Sequence, residues 1–208
     1  EHFAKAYVQS RRIPESFYSQ LYFAPDFKKF VQELGVEKEG LIEDDQRLVI
    51  PFYDKQKNLV AVQGRALGES KIRYITIKIL EDSPKIYGLD RINEDDMIYV
   101  VEGPIDSMFI DNSMAMCGAD LTKSVDLDKN KCTIVFDNEP RAMTMVNKIA
   151  KYIERGYRVC LWPETIKGKD INEMILNGHE PEELKIIIDK NSYQGIQANL
   201  QLQMWRKC

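Results

Sequence analysis

The sequence predicts an α+β amino-terminal part, then an α/β domain on a central, mainly parallel four-stranded sheet, and finally a helical carboxyl-terminal tail. Three observations support this. Hairpin-like strands follow helical material in the first half; short, fully apolar runs alternate with helical segments after residue 96; and helical patterning alone continues from Pro181. The expected boundaries are 1–95, 96–180 and 181–208.

In the first part, Phe27, Phe30, Val31 and Leu34 recur at helical spacing, with Gly35 placed as a C-cap. Arg47 to Tyr53 and Leu59 to Gln63 flank the polar turn Asp54-Lys55-Gln56-Lys57-Asn58 as a hairpin would, and Arg73 to Lys78 alternates like a half-buried strand. In the second part, Met97 to Val101, Met114 to Cys117, Thr133 to Phe136 and Arg158 to Trp162 read as strands covered on both faces. A helix is expected from Pro104 to near Asn112. Another runs from Arg141 to Arg155, with Met145, Val146, Ile149 and Ile153 on one face and Gly156 just beyond. The tail reads as two helices. Ile196, Leu200 and Met204 form a stripe on the last, expected to pack on the body rather than to dock a partner.

Composition narrows the chemistry. With 30% charged and 44% hydrophobic residues in 208, the chain reads as soluble and globular. No apolar run approaches the roughly 20 residues that cross a bilayer, and no signal peptide opens it, so no membrane association is expected. Cys117, Cys132, Cys160 and Cys208 form no Cys-x-x-Cys pair and read as reduced structural thiols of a cytoplasmic protein, leaving no zinc site. The only histidines are His2 and His179, which removes a His-based nucleophilic triad and a His-rich metal site. Any metal must then be held by oxygen, which points to Mg²⁺ or Mn²⁺. The net charge of −4 does not favour phosphate binding, although carboxylates gathered around cations lower net charge without opposing it.

In an open parallel sheet, ligands collect beyond the carboxyl ends of the strands. Glu102 directly follows one buried run, with Asp106 one turn into the next helix; Asp137 and Glu139 follow another; Asp170 and Glu173 come after the fourth. Asp106 could simply complement a helix dipole, and Asp170 with Glu173 could form a capping box. Glu102 and Asp137 are harder to explain that way. A carboxylate at the end of a buried strand loses solvation and repels its neighbour, a cost that a bound cation removes.

Val101-Glu102-Gly103-Pro104-Ile105-Asp106 followed by Val135-Phe136-Asp137-Asn138-Glu139 resembles the topoisomerase–primase (TOPRIM) domain, with its Glu after one strand and acidic pair after a later one. Arg47 to Phe52, Gln63 to Leu67, Arg73-Tyr74, Lys85 to Leu89 and Lys169 to Glu173 resemble, in order, segments of bacterial-type DNA primases, above all those of T-even-type tailed phages. The resemblance implies Glu102, Asp137 and Glu139 as catalytic metal ligands, with Asp106 and Asp170 completing the metal cluster. It implies Arg47, Arg65, Arg73 and Lys85 as contacts to nucleotide or template. The expected activity is metal-dependent synthesis of short RNA primers from ribonucleoside triphosphates on single-stranded DNA during phage replication, in the host cytoplasm and beside a hexameric replicative helicase. Two positions depart from the family pattern. The acidic pair is Asp-Asn-Glu, whose Glu139 reaches one methylene further than Asp, and Asn172 stands where bacterial primases often carry Asp. The start at Glu1 predicts a piece of a longer protein, with the family's zinc-binding module upstream. A TOPRIM nuclease, or a non-catalytic binding module derived from a primase, are the alternative readings. The segments before residue 95 and the joint retention of Glu102, Asp137 and Asp170 argue against them.

Overall fold

The computed structural model describes residues 2–121 and 125–208. The chain opens with α1 (Phe3–Ser10), the short strand β1 (Tyr22–Ala24) and α2 (Phe27–Glu33), which Asp26 caps by accepting the Lys29 backbone N–H at 3.0 Å. Strands β2 (Arg47–Tyr53), β3 (Leu59–Ala66) and β4 (Tyr74–Lys78) then complete an antiparallel sheet in the order β1-β2-β3-β4. The expected hairpin is present, its turn closed by the Asp54 carboxylate accepting the backbone N–H groups of Gln56 and Asn58. β1 was not expected. Its three residues carry too little pattern to separate a strand from a loop.

The second sheet contains β5 (Ile98–Val101), then α3 (Pro104–Ser107), β6 (Ser113–Ala115), β7 (Cys132–Ile134), α4 (Met143–Glu154) and β8 (Arg158–Cys160). Next come α5 (Ile171–Leu176), α6 (Pro181–Lys190), β9 (Ser192–Tyr193) and α7 (Gly195–Trp205). The order is β6-β5-β7-β8-β9, with β5 to β8 parallel and β9 antiparallel on the edge. The four parallel strands are those read from the sequence. The fifth escaped notice because Ser192-Tyr193 is a two-residue pairing without an apolar run. The helix expected from Pro104 to Asn112 stops at Ser107. Met108, Phe109 and Ile110 follow one another and are all buried, an arrangement that a single helical face cannot supply. Among the described residues no helix is long and apolar enough to cross a membrane.

One core joins the two sheets. Leu48, Ile50, Phe52 and Ala61 from the antiparallel sheet pack with Tyr99, Val101, Ile105 and Trp162 from the parallel one. Residues alternate along β5, so Ile98 and Val100 face the other way, onto Ile134, Val146, Ile149 and Leu202. The outer face of the antiparallel sheet is covered by α2, through Phe27 and Val31 against Val49, Val62 and Ile77.

Two expectations are corrected here. Arg47 was expected to contact nucleotide or template, but it is 1% exposed. Its guanidinium pairs with Asp45 at 2.6 Å and donates to the carbonyls of Gly64 (3.0 Å) and Ile72 (2.9 Å), so its donors are taken up by the fold. Gly64 makes room for it. A Cβ there would lie 2.6 Å from the Phe27 ring and 2.7 Å from Arg47 Cδ. The stripe on α7 does not pack on the body either: Ile196, Leu200 and Met204 are 81%, 62% and 75% exposed. Ala198 and Leu202 are buried instead. Positions two apart on a helix point to opposite sides, so burying one pair turns the other set outward.

Arg47→Ala leaves Asp45 and two carbonyls without their donor inside the sheet. Urea unfolding is expected to show a loss of about 3–5 kcal/mol, and unchanged stability would refute this structural role.

Candidate active site

The parallel pairing of β5 with β7 sets two strand ends side by side, and the Val135 backbone N–H donates to the Val100 carbonyl at 2.8 Å just beyond the last paired residues. Glu102 and Asp137 therefore leave the sheet as neighbours, and the Asp137 backbone N–H donates to Glu102 Oε2 at 3.3 Å. The chain then turns at Gly103-Pro104 into α3 and brings Asp106 back over the same spot. A Cβ on Gly103 would lie 2.9 Å from Asp106 Oδ2, so the missing side chain lets that carboxylate approach. Asp106 Oδ1 accepts the Asn172 backbone N–H at 2.9 Å, which ties α3 to the start of α5.

Asp170 caps α5 by accepting the Glu173 N–H at 2.7 Å, as the capping-box reading expected. It also faces the other carboxylates. Glu102, Asp106, Asp137 and Asp170 line one cleft of about 480 Å³. Its opposite wall comes from the antiparallel sheet and the residue after α1: Arg65, Arg73, Tyr74 and Arg11, with Gln63 and Thr76 between them. Arg65 is held in place, its Nε donating to the Tyr7 hydroxyl at 2.9 Å and its guanidinium lying 4.8 Å from the Tyr74 ring centroid.

The other expected residues lie elsewhere. Glu139 does not line the cleft. Its N–H donates back to the Asp137 carbonyl at 2.9 Å, and this tight turn swings the side chain onto a neighbouring groove. Lys169 stands between the pair, 3.8 Å from Asp137 and 3.2 Å from Glu139. Lys85 is absent from the cleft wall, and Arg47 is buried in the sheet. Sequence reading missed Arg11, which comes from a distant segment, and Lys148, which pairs with Glu102 from the otherwise solvated face of α4. Lys169 had a signal in its place beside Asp170.

The electrostatics follow from this crowding. Burial first, and then the charges of Glu102, Asp106 and Asp170, push the Asp137 carboxyl up to about 8, with Lys169 opposing. Burial and the charge of Asp170 push Asp106 to about 7, against the Asn172 N–H and Arg11. These carboxylates resist ionising together, the situation that a divalent cation relieves. Among the described residues no three His, Cys, Asp or Glu side chains stand close enough to cage a metal by themselves. The donor set suits a cation that takes one or two carboxylates and keeps much of its water, as Mg²⁺ does.

With both carboxyls raised far above 3.8, the folded state keeps protons that the unfolded chain releases. Stability of the metal-free protein should therefore fall as pH rises from about 4 to 8. Melting in chelator at about pH 5 and pH 8 tests this: Asp137→Asn should flatten the slope and melt above the wild type at the higher pH. Parallel slopes would contradict the coupling.

No family model matches the chain. It is 36% identical over 206 residues to the DNA primase of Enterobacteria phage T4, an alignment that takes in 97% of this chain and 59% of that protein. The chain thus spans about three-fifths of its relative's length. Among solved structures, a DNA primase domain from Pseudomonas aeruginosa matches with a TM-score of 0.69 at 19% identity, over 98% of this chain and 75% of that one. The Aquifex aeolicus primase zinc-binding and RNA polymerase domains match at 0.64 and 22% identity, over 93% and 57%. A DnaG primase catalytic domain bound to single-stranded DNA also matches at 0.64, with 17% identity over 97% and 75%. These likenesses concern the fold, whereas the phage protein is similar in sequence from end to end of this chain. The chain is thus similar in sequence to the DNA primase of phage T4 and similar in fold to solved bacterial primase domains.

Proposed function

We propose that the chain is the catalytic core of a DNA primase, joining ribonucleoside triphosphates into short RNA primers on single-stranded DNA. The observation that carries this reading is the convergence of Glu102, Asp106, Asp137 and Asp170, from three separate segments of the chain, opposite Arg65 and Arg73. Similarity to a phage DNA primase supports it, as does likeness of fold to a primase catalytic domain bound to single-stranded DNA.

Glu102 and Asp137 would hold Mg²⁺ or Mn²⁺, with Asp106 and Asp170 bracing the cluster through its water shell. A divalent cation held by these residues would supply Lewis-acid activation for an attacking hydroxyl and would offset charge on a leaving pyrophosphate. The protein does the rest. Arg65 and Arg73 present forked donors to phosphate oxygens across the cleft, and the stacked tyrosines hold Arg65 so that little reorganisation accompanies binding. Lys169 neutralises Asp137 and Glu139 at the lip and is positioned to exchange those carboxylates for an incoming phosphate. Asp106 takes its N–H from Asn172, which fixes one oxygen and leaves the other toward Gly103 and the cleft. Glu139 acts from the lip rather than as the close partner of Asp137. A hexameric replicative helicase as partner and the cytoplasm of an infected host as location belong to the same reading.

Incubation with single-stranded DNA, ribonucleotides and Mg²⁺ should yield short RNA, while cut DNA would replace the reading with a nuclease. Glu102→Gln and Asp137→Asn should each lower priming by about 10²-fold or more with the circular dichroism spectrum kept. Normal priming by Asp137→Asn would defeat the proposal. Arg65→Ala should weaken template or nucleotide use and reduce the slope of log affinity against log salt by about 1.

A further inference from the structure

Beside the carboxylate cleft runs a second groove, of about 580 Å³, that the proposed mechanism leaves unused. Trp162 and Ile166, 3% and 6% exposed, form its floor together with Pro140, and Trp205 closes it from the end of α7. The chain contains two tryptophans, and both line this one groove. Each is held. The Trp162 indole N–H donates to the Phe136 carbonyl at 2.8 Å, which fixes this buried ring beneath the groove. The tail after Trp205 is pinned where the Lys207 backbone N–H meets the Pro140 carbonyl at 2.8 Å and Lys207 Nζ pairs with Glu164 at 2.9 Å. At the rim, Arg141 is exposed and makes no hydrogen bond or ion pair among the described residues.

The groove and the cleft share a boundary. Asp137 belongs to the cleft and Glu139 to the groove, and the Lys169 ammonium touches both carboxylates. A ligand crossing this boundary would place a flat, weakly polar part against Trp205 and Pro140. Its anionic part would lie over Lys169 and beside Arg141, directed at Asp137. Stacked aromatic rings favour nucleobases of any sequence, and paired cations favour phosphate.

We propose that this groove seats the base of a free nucleoside triphosphate, with the phosphates led past Arg141 and Lys169 into the carboxylate cleft. The proposal rests on the primase reading for its polyphosphate end, but the base seat is a separate claim about different residues. A nucleobase also occurs in a DNA strand, so the test must separate the two sources.

Tryptophan emission and calorimetry of the whole chain with Mg²⁺ provide the readouts, using ATP, GTP, inorganic tripolyphosphate and a short single-stranded oligodeoxynucleotide as probes. ATP or GTP should quench emission, and tripolyphosphate should bind without quenching. Trp205→Ala should weaken triphosphate binding in calorimetry about tenfold while leaving tripolyphosphate affinity unchanged. Arg141→Ala, at an exposed position, should weaken ATP and tripolyphosphate alike, and it keeps the proposal testable if Trp205→Ala does not fold. Quenching without any polymerisation by the wild type would sink the primase reading and uphold the base seat. Three results would overturn the seat: no response to ATP or GTP, quenching by the oligodeoxynucleotide alone, or wild-type affinity in Trp205→Ala.

Discussion

Four carboxylates face one half-buried cleft, and the rest of the molecule is arranged around the repulsion this creates. Burial and mutual charge raise Asp137 and Asp106 far out of the usual carboxylate range. Nothing in the local sequence relieves this. Relief comes from cations on other elements: Lys148 on α4 pairs with Glu102, Lys169 lies between Asp137 and Glu139, and Arg11 faces Asp106 from beyond α1. A site that is unstable when empty of positive charge is one prepared to receive it, from a metal ion or through the arginines opposite.

The cleft keeps its width because its two walls share a core. Leu48, Ile50 and Phe52 of the antiparallel sheet are packed with Val101, Ile105 and Trp162 beneath the carboxylates, so neither sheet shifts without opening that contact. The two-residue alternation of a strand then decides which basic side chains serve the site. Gln63 and Arg65 lie on the face of β3 turned to the cleft, whereas Gly64 lies on the α2 side, where Arg47 fills the space a side chain would take. Two arginines on neighbouring strands thus have opposite roles, one stacked and facing the cleft, the other buried with its donors used up.

Much of this was legible in the residues. The apolar runs ending in Glu102 and Asp137 marked parallel strands with acidic ends, and parallel pairing left those ends no choice but proximity. Asp170 could be read both as a cap and as a site residue, and it is a cap that also faces the cleft. Glu139 lines the neighbouring groove rather than the cleft, since spacing along the chain says nothing of a turn that folds back on the Asp137 carbonyl. Lys85 and Arg47 look like Arg65 in sequence, since a basic residue in or beside a strand carries no mark of what lies opposite.

Sequence alone determined the classes of element and the strand-end acids, because these depend on periodicity and on the residues that directly follow the apolar runs. Tertiary structure decided which charges meet. Arg11, Lys148 and Lys169 reach the acids from three segments with no common pattern, and the choice between Ala198–Leu202 and Ile196–Leu200–Met204 as the buried face of α7 was made by the surface it met. Helical spacing can name two apolar faces, but only contact with a partner surface selects the one that leaves water.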